Sequence, residues 1–400
     1  MVAGEPSLHL PLCISLLIAA LLCCATFGCT GKSAVKPDAT VQAYADRGYA
    51  PGQRFETTAT RETWTIDSEP VDVTLLVPAQ TGRYPLVVYL PGLGESADAG
   101  LVWRKAWAQA GYVVLSAQST RDGPAVWSSS RARGGDFIDI AKDAFGATSL
   151  AARTQFARGL LEEASRRNHT ARDTAVGRID MTRVAVAGYD LGAQTAMMVA
   201  GESVPGVEAM QVGKGVKCVI ALSPYADFSG MGLESNFRSI RLPVLGVTSA
   251  QDTDAYGLVR SAAVRRAPFQ YMPPGQKYLL ILSGAPHSLL AGVGTQTRDK
   301  GKYTADQGTP GSQGGVEPDT AILSDEATVT DGRQRPRNRS SGAAAGPGSS
   351  SARRAKEVAQ VQSVTAAFLD AIVKNDLIAS EWLSRNAQPW LGETADLQSK

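Results

Sequence analysis

Asp190 stands at the centre of Gly188-Tyr189-Asp190-Leu191-Gly192. Glycine two places before and two places after a central residue is the spacing of a sharp, strained turn, because a side chain at either glycine would strike the neighbouring strand or helix. The flanks agree. Residues 183–187 (RVAVA) read as a buried strand, and residues 194–200 (QTAMMVA) read as a helix that follows at once. A serine hydroxyl must lose its proton to a base before it attacks. A carboxylate is already ionised at neutral pH, and it can attack a saturated carbon and leave an ester on the protein. A histidine would then activate the water that hydrolyses this ester. The chain has three histidines. His9 lies in an apolar N-terminal run and His169 at the end of a surface helix. That leaves His287, in Gly284-Ala285-Pro286-His287, as the base. No Gly-x-Ser-x-Gly occurs elsewhere to supply a serine instead.

The residues that must position this chemistry alternate between two periodicities. Strands are expected near residues 62–66, 71–77, 86–90, 112–117, 183–187, 217–222, 244–248 and 278–282. The later ones are near-continuous Val/Ile/Leu runs, as in parallel strands buried on both faces. Helical spacing appears over 99–110, with Trp103 and Trp107 four apart, and over 149–167, with Leu150, Phe156, Leu160 and Leu161 on one side. Strand and helix in alternation imply an α/β fold: a mostly parallel eight-stranded sheet with helices on both faces.

Four stretches extend the likeness beyond the Asp190 turn. They are residues 84–96 (YPLVVYLPGLGES), 110–117 (AGYVVLSA), 177–188 (GRIDMTRVAVAG) and 274–287 (PGQKYLLILSGAPH). With them the chain resembles the α/β-hydrolase superfamily, most closely its dienelactone-hydrolase-like and platelet-activating-factor-acetylhydrolase-like esterases, over most of residues 60–292. The resemblance implies the chain order nucleophile, acid, histidine. It puts the acid in the loop after the strand of residues 242–252 (LPVLGVTSAQD), where Asp252 fits best and Asp254 is the near alternative. It implies an oxyanion hole made by the amides of Leu93 and Leu191, although Pro91-Gly92 stands where relatives have His-Gly. Trp103, Trp107 and Trp127 are candidates to line the pocket, with core packing the plainer role for Trp107. Haloalkane dehalogenases and epoxide hydrolases, in the same superfamily, use an aspartate nucleophile. Yet Leu191 replaces the halide-binding Trp of the dehalogenases, and only about twenty residues, 223–242, stand where both groups carry a sizeable cap. The expected function is hydrolysis of ester-like small molecules through Asp190, His287 and Asp252. Alkyl-aspartate chemistry and a non-catalytic binding role are the alternatives.

The composition sets bounds. Hydrophobic residues make up 44% of 400, charged residues 20%, and the net charge is +2. This balance gives no footprint for nucleic acid. A small molecule is the expected partner, with no cofactor and no metal. Residues 1–29 read as an export signal, apolar from about Leu8 to Ala25. Thr26-Phe27-Gly28-Cys29 is similar to a lipoprotein signal, which would anchor an exported, periplasmic chain to a membrane through Cys29. Residues 30–52 read as a polar tether and 53–400 as the catalytic domain. A Gly/Ser/Pro-rich stretch at about 295–355 is too poor in large apolar residues to offset its ordering entropy, and reads as a disordered insertion. Helical spacing returns at 357–374 and 378–386. Cys218, in an apolar run, is a small buried hydrophobe.

Overall fold

The computed structural model describes residues 38–170, 174–227, 232–292 and 347–400. The strands are β1 (Thr57–Ile66), β2 (Glu69–Pro78), β3 (Tyr84–Leu90), β4 (Val113–Ala117), β5 (Ile179–Tyr189), β6 (Val216–Leu222), β7 (Val244–Gln251), β8 (Lys277–Pro286) and β9 (Ala395–Ser399). The helices are α1 (Ala39–Ala45), α2 (Leu101–Gln109), α3 (Ser130–Arg133), α4 (Phe137–Phe145), α5 (Ala147–Thr170), α6 (Leu191–Ala200), α7 (Leu233–Phe237), α8 (Ala267–Tyr271), α9 (His287–Leu290), α10 (Pro347–Val373), α11 (Leu377–Glu381) and α12 (Ala387–Leu391).

The nine strands form one sheet in the order β1-β2-β4-β3-β5-β6-β7-β8-β9. The six from β4 to β8 run parallel, while β1, β2 and β9 are joined antiparallel at the two ends. The fold is therefore α/β with a mixed, mostly parallel sheet. It has nine strands rather than eight. The eight runs read from the sequence coincide with β1–β8. β9 (ADLQS) gives little sequence signal because it is short and has neither β-branched nor aromatic residues; it exists by pairing with β8, Tyr278 opposite Ser399 through Leu282 opposite Ala395.

Every residue of β3 and β4 is buried, as their largely apolar sequences require when both faces of a sheet are covered. On one face Trp103 and Trp107 of α2 pack with Val361, Val364 and Phe368 of α10 and with Leu383 and Leu391. On the other, Ala157 and Leu160 of α5 and Ala193, Ala196 and Met197 of α6 pack with Trp64, Leu86 and Val186. Burying a large apolar side chain contributes about 1.5–3 kcal/mol, so the two layers fix the strand ends in space. Cys218 is a free, buried thiol in β6, held up from its ordinary pKa by burial.

Residues 1–37, with the export signal and Cys29, and residues 293–346, with most of the inserted stretch, lie outside the described residues. No helix among the described residues is long and apolar enough to cross a membrane. Both expected boundaries shift. Residues 38–52 are not all tether: α1 lies within them, and Tyr44 and Tyr49 are buried, Tyr44 stacked on Trp390 with ring centroids 4.7 Å apart. Residues 347–355, placed in the insertion, already belong to α10.

Candidate active site

The parallel strands of this sheet deliver their C-terminal ends to one edge, where ligands bind in open α/β sheets. Asp190 follows β5, Asp252 follows β7 and His287 follows β8. Asp190 holds φ 50 and ψ −108, a conformation non-glycine residues seldom adopt. Its N–H donates to Leu222 O at 2.9 Å and its C=O accepts from Gln194 N. The two glycines are obligatory, as the spacing implied. A Cβ on Gly188 would run into the carbonyl of Gly192, and one on Gly192 into the carbonyl of Leu90. Asp190 sits at the N-cap of α6 without spending its carboxylate on a capping bond. The helix N-terminus behind it favours negative charge.

The three residues come together. His287 Nδ1 lies 2.7 Å from Asp252 Oδ1, and His287 Nε2 lies 3.7 Å from Asp190 Oδ1. An ionised carboxylate only accepts, so Nδ1 carries a proton, and in the neutral imidazole the lone pair is then on Nε2, facing Asp190. Ser223 Oγ donates to Asp252 Oδ1 at 3.0 Å and Thr248 Oγ1 to Oδ2 at 2.7 Å. Burial alone would raise the Asp252 carboxyl. The hydrogen bond from His287, the charges of Arg265 and His287, and the Thr248 hydroxyl together hold it below its ordinary value. Asp254, the alternative acid, is spent on its own loop, accepting from the amides of Tyr256, Leu258 and Val259. Exposure decides the direction of approach. The His287 side chain is 14% exposed against 3% for Asp190 and none for Asp252, so solvent reaches the array past the imidazole. Tyr189 donates to His287 O at 3.2 Å and lies with its ring 5.1 Å from the imidazole.

Leu191 opens α6, and its amide is one of the donors a helix leaves without an intrahelical partner. Leu93 lies between two committed amides: Gly92 N–H donates to Glu95 Oε2 at 2.8 Å, and Gly94 N–H to Asp122 O at 2.7 Å. Both leucine side chains are buried in a cluster with Ala132, Ile140, Ala144 and Phe145. So α3 and α4, in a stretch left without elements by the sequence, cover the loops that carry these amides. Trp127 is part of that cover, stacked on Tyr256 at 5.3 Å. Trp103 and Trp107 do not line a pocket here. Both are fully buried, with Trp103 Nε1 donating to Leu290 O and Trp107 Nε1 to Thr365 Oγ1. A cavity of about 170 Å³ is lined by Asp67, Arg121, Asp122, Arg153 and Phe156 among others, and touches neither Asp190 nor His287.

Two site residues were not foreseen. Arg265, wholly buried, lies with Nη2 3.7 Å from Asp190 Oδ1 and Nε 3.7 Å from Asp252 Oδ1. Glu95 is half-buried on the Leu93 loop. Burial pushes its carboxyl from 4.5 up to about 7, helped by the charge of Asp190 and opposed by the Gly92 N–H bond and by His287. A lone acid in the glycine-rich run 91–96 was the available signal for it. A carboxyl whose folded pKa is raised keeps a proton that the unfolded chain loses, so its contribution to stability falls as pH rises from about 4.5 to 7 and is constant above. Glu95→Gln keeps an acceptor for Gly92 and has no such proton. Its urea midpoint should gain on the wild type across that window and hold the gain at pH 8. Parallel midpoints from pH 4.5 to 8 would show that the carboxyl titrates normally.

Among the described residues no cluster of His, Cys, Asp and Glu could hold a metal ion. No protein-family model matches the chain, and no curated protein matches it in sequence.

Proposed function

We propose that this chain is a hydrolase of α/β-hydrolase type, acting on small ester-like and related electrophilic substrates through a covalent intermediate on Asp190. One observation supports this above the others: the array Asp252–His287–Asp190, at 2.7 and 3.7 Å, with its middle member partly exposed and its last on a strained turn. Asp252 fixes the tautomer that makes Nε2 a base. Strain at a position over-determined by its surroundings is characteristic of functional sites. Attack on a saturated carbon forms a carbon–Oδ bond as the leaving group departs with its electron pair. Attack on an ester carbonyl forms a mixed anhydride and expels the alkoxide, which takes its proton from solvent. Either fragment leaves only when water, deprotonated by His287 Nε2, adds to the intermediate.

The test is to remove the base and keep the nucleophile. His287→Gln, incubated with 1-bromobutane or styrene oxide, should gain the mass of one probe fragment on the peptide containing Asp190. With p-nitrophenyl acetate it should release about one equivalent of p-nitrophenolate and then stall. No adduct and no burst, in a folded variant, would leave a non-catalytic binding role as the better account.

A further inference from the structure

Arg265 lies in the tight helical turn Ala262–Arg266. One edge of its guanidinium is anchored, with Nη1 donating to Ser223 O at 3.0 Å and Pro224 O at 3.4 Å. The other edge is not. Nε faces Asp252 and Nη2 faces Asp190, each at 3.7 Å. Nε, Nη2 and Asp190 Oδ1 are all buried, and none has a hydrogen-bond partner among the described residues. An unsatisfied buried donor or acceptor costs free energy, and each one calls for an explanation. An arginine serving packing alone would close its bonds on nearby carbonyls, as Nη1 does. Here two donors and one acceptor stay open at one place, and the acceptor belongs to the candidate nucleophile.

His287 Nε2 and Arg265 Nη2 approach the same oxygen, Oδ1, at the same distance. The geometry points to Arg265 as a further catalytic residue, whose Nη2–H stabilises the negative charge that develops on Asp190 Oδ1 while the covalent intermediate is hydrolysed. This rests on the proposed role of Asp190. The substrate fragment is then an ester through Oδ2. His287 Nε2 takes a proton from water as the water oxygen bonds to Cγ, and the Cγ–Oδ1 π pair moves onto Oδ1. A charged donor gives the stronger hydrogen bond to such an anion, and one already in place needs little reorganisation to give it. Collapse re-forms the Cγ–Oδ1 double bond and breaks Cγ–Oδ2. The departing alkoxide takes the proton from His287 and leaves as the alcohol. The new carboxyl group sheds its proton to solvent, and Asp190 is again a carboxylate.

The full-length protein is mixed with 1-bromobutane or styrene oxide, and the adduct is followed by intact mass as it forms and decays. In Arg265→Met, decay should slow by about 100-fold or more, the usual loss for one such donor, while formation is not slowed. Arg265→Lys keeps the charge without the fork and should restore part of the decay rate. A packing role would slow both steps together, or neither. An adduct in His287→Gln with wild-type decay in Arg265→Met overturns the role of Arg265 alone. No adduct in His287→Gln overturns the Asp190 mechanism and this inference with it. Should Arg265→Met fail to fold, Arg265→Lys decides: normal formation with decay slowed about tenfold supports the inference, on the same scale of donor loss, and unchanged decay overturns it.

Discussion

Asp190→Asn should lose turnover by at least about 10³-fold, because an amide of the same shape is a poor nucleophile and residues acting as a unit fail together. Asparagine also fits the space, so the circular-dichroism spectrum and urea midpoint should stay close to wild type, and the loss would be chemical. Asp190→Ser asks a different question of the same position. The turn, the imidazole and Asp252 are retained, and a serine hydroxyl at this turn needs only a base to become a nucleophile toward carbonyl carbon. His287 Nε2 stands 3.7 Å from the present Oδ1, and rotation about the Asp190 Cα–Cβ bond would decide how near the shorter side chain comes. The serine variant should therefore hydrolyse p-nitrophenyl esters faster than Asp190→Asn does and lose all reaction with alkyl halides. Measured side by side, the two substitutions separate scaffold from nucleophile. Equal, background-level ester hydrolysis in both would mean that the surrounding groups do not support acyl transfer.

The chain's local patterns carried the strands and the turn, since apolar runs and glycine spacing are properties of neighbours in sequence. The spacing of Gly188 and Gly192 alone states their purpose, and the carbonyls of Gly192 and Leu90 stand where their side chains would be. Spacing favours Asp252 as the acid and leaves Asp254 as the near alternative. What separates them is three-dimensional: one accepts from His287, Ser223 and Thr248, the other from its own loop's amides. Arg265 had no signal at all. It precedes Arg266 in an unremarkable run, and only packing makes it wholly buried beside two carboxylates while the side chain after it meets solvent in part. The N-terminal boundary failed for a related reason. Residues 38–52 are polar on average, and two tyrosines in such a stretch say little until their partners, far along the chain, are known.

The partner of Tyr49 makes a position on which stability should depend strongly. Asp370 of α10 is buried, at 2% exposure, and one carboxylate gathers three donors. Tyr49 Oη–H donates to Oδ2 at 2.8 Å, Tyr112 Oη–H to Oδ1 at 2.8 Å, and Lys374 Nζ lies 2.7 Å from Oδ1. Burial first, and then the charge of Asp370, push both phenols well above their ordinary pKa, so they remain donors at working pH. Lys374 also donates to Ala110 O at 2.6 Å. The hub thus fastens the N-terminal segment, the start of β4 and the end of α10 to one another. Asp370→Ala would strand two buried hydroxyls and an ammonium group, and breaking a buried charged network from one side costs about 3–5 kcal/mol. Tyr49→Phe removes the donor to Asp370 Oδ2 while Oδ1 keeps Tyr112 and Lys374, and should cost about 1–3 kcal/mol. Urea midpoints would measure both. The double variant should cost less than the sum of the two, because once Asp370 is gone the Tyr49 hydroxyl has nothing to lose. No loss in Tyr49→Phe would mean that Tyr49 holds its segment through ring packing on Trp382, which phenylalanine retains. Limited proteolysis then separates the two accounts by place: a hub that docks the segment predicts early cleavage between residues 38 and 56 in Tyr49→Phe, before the sheet is touched.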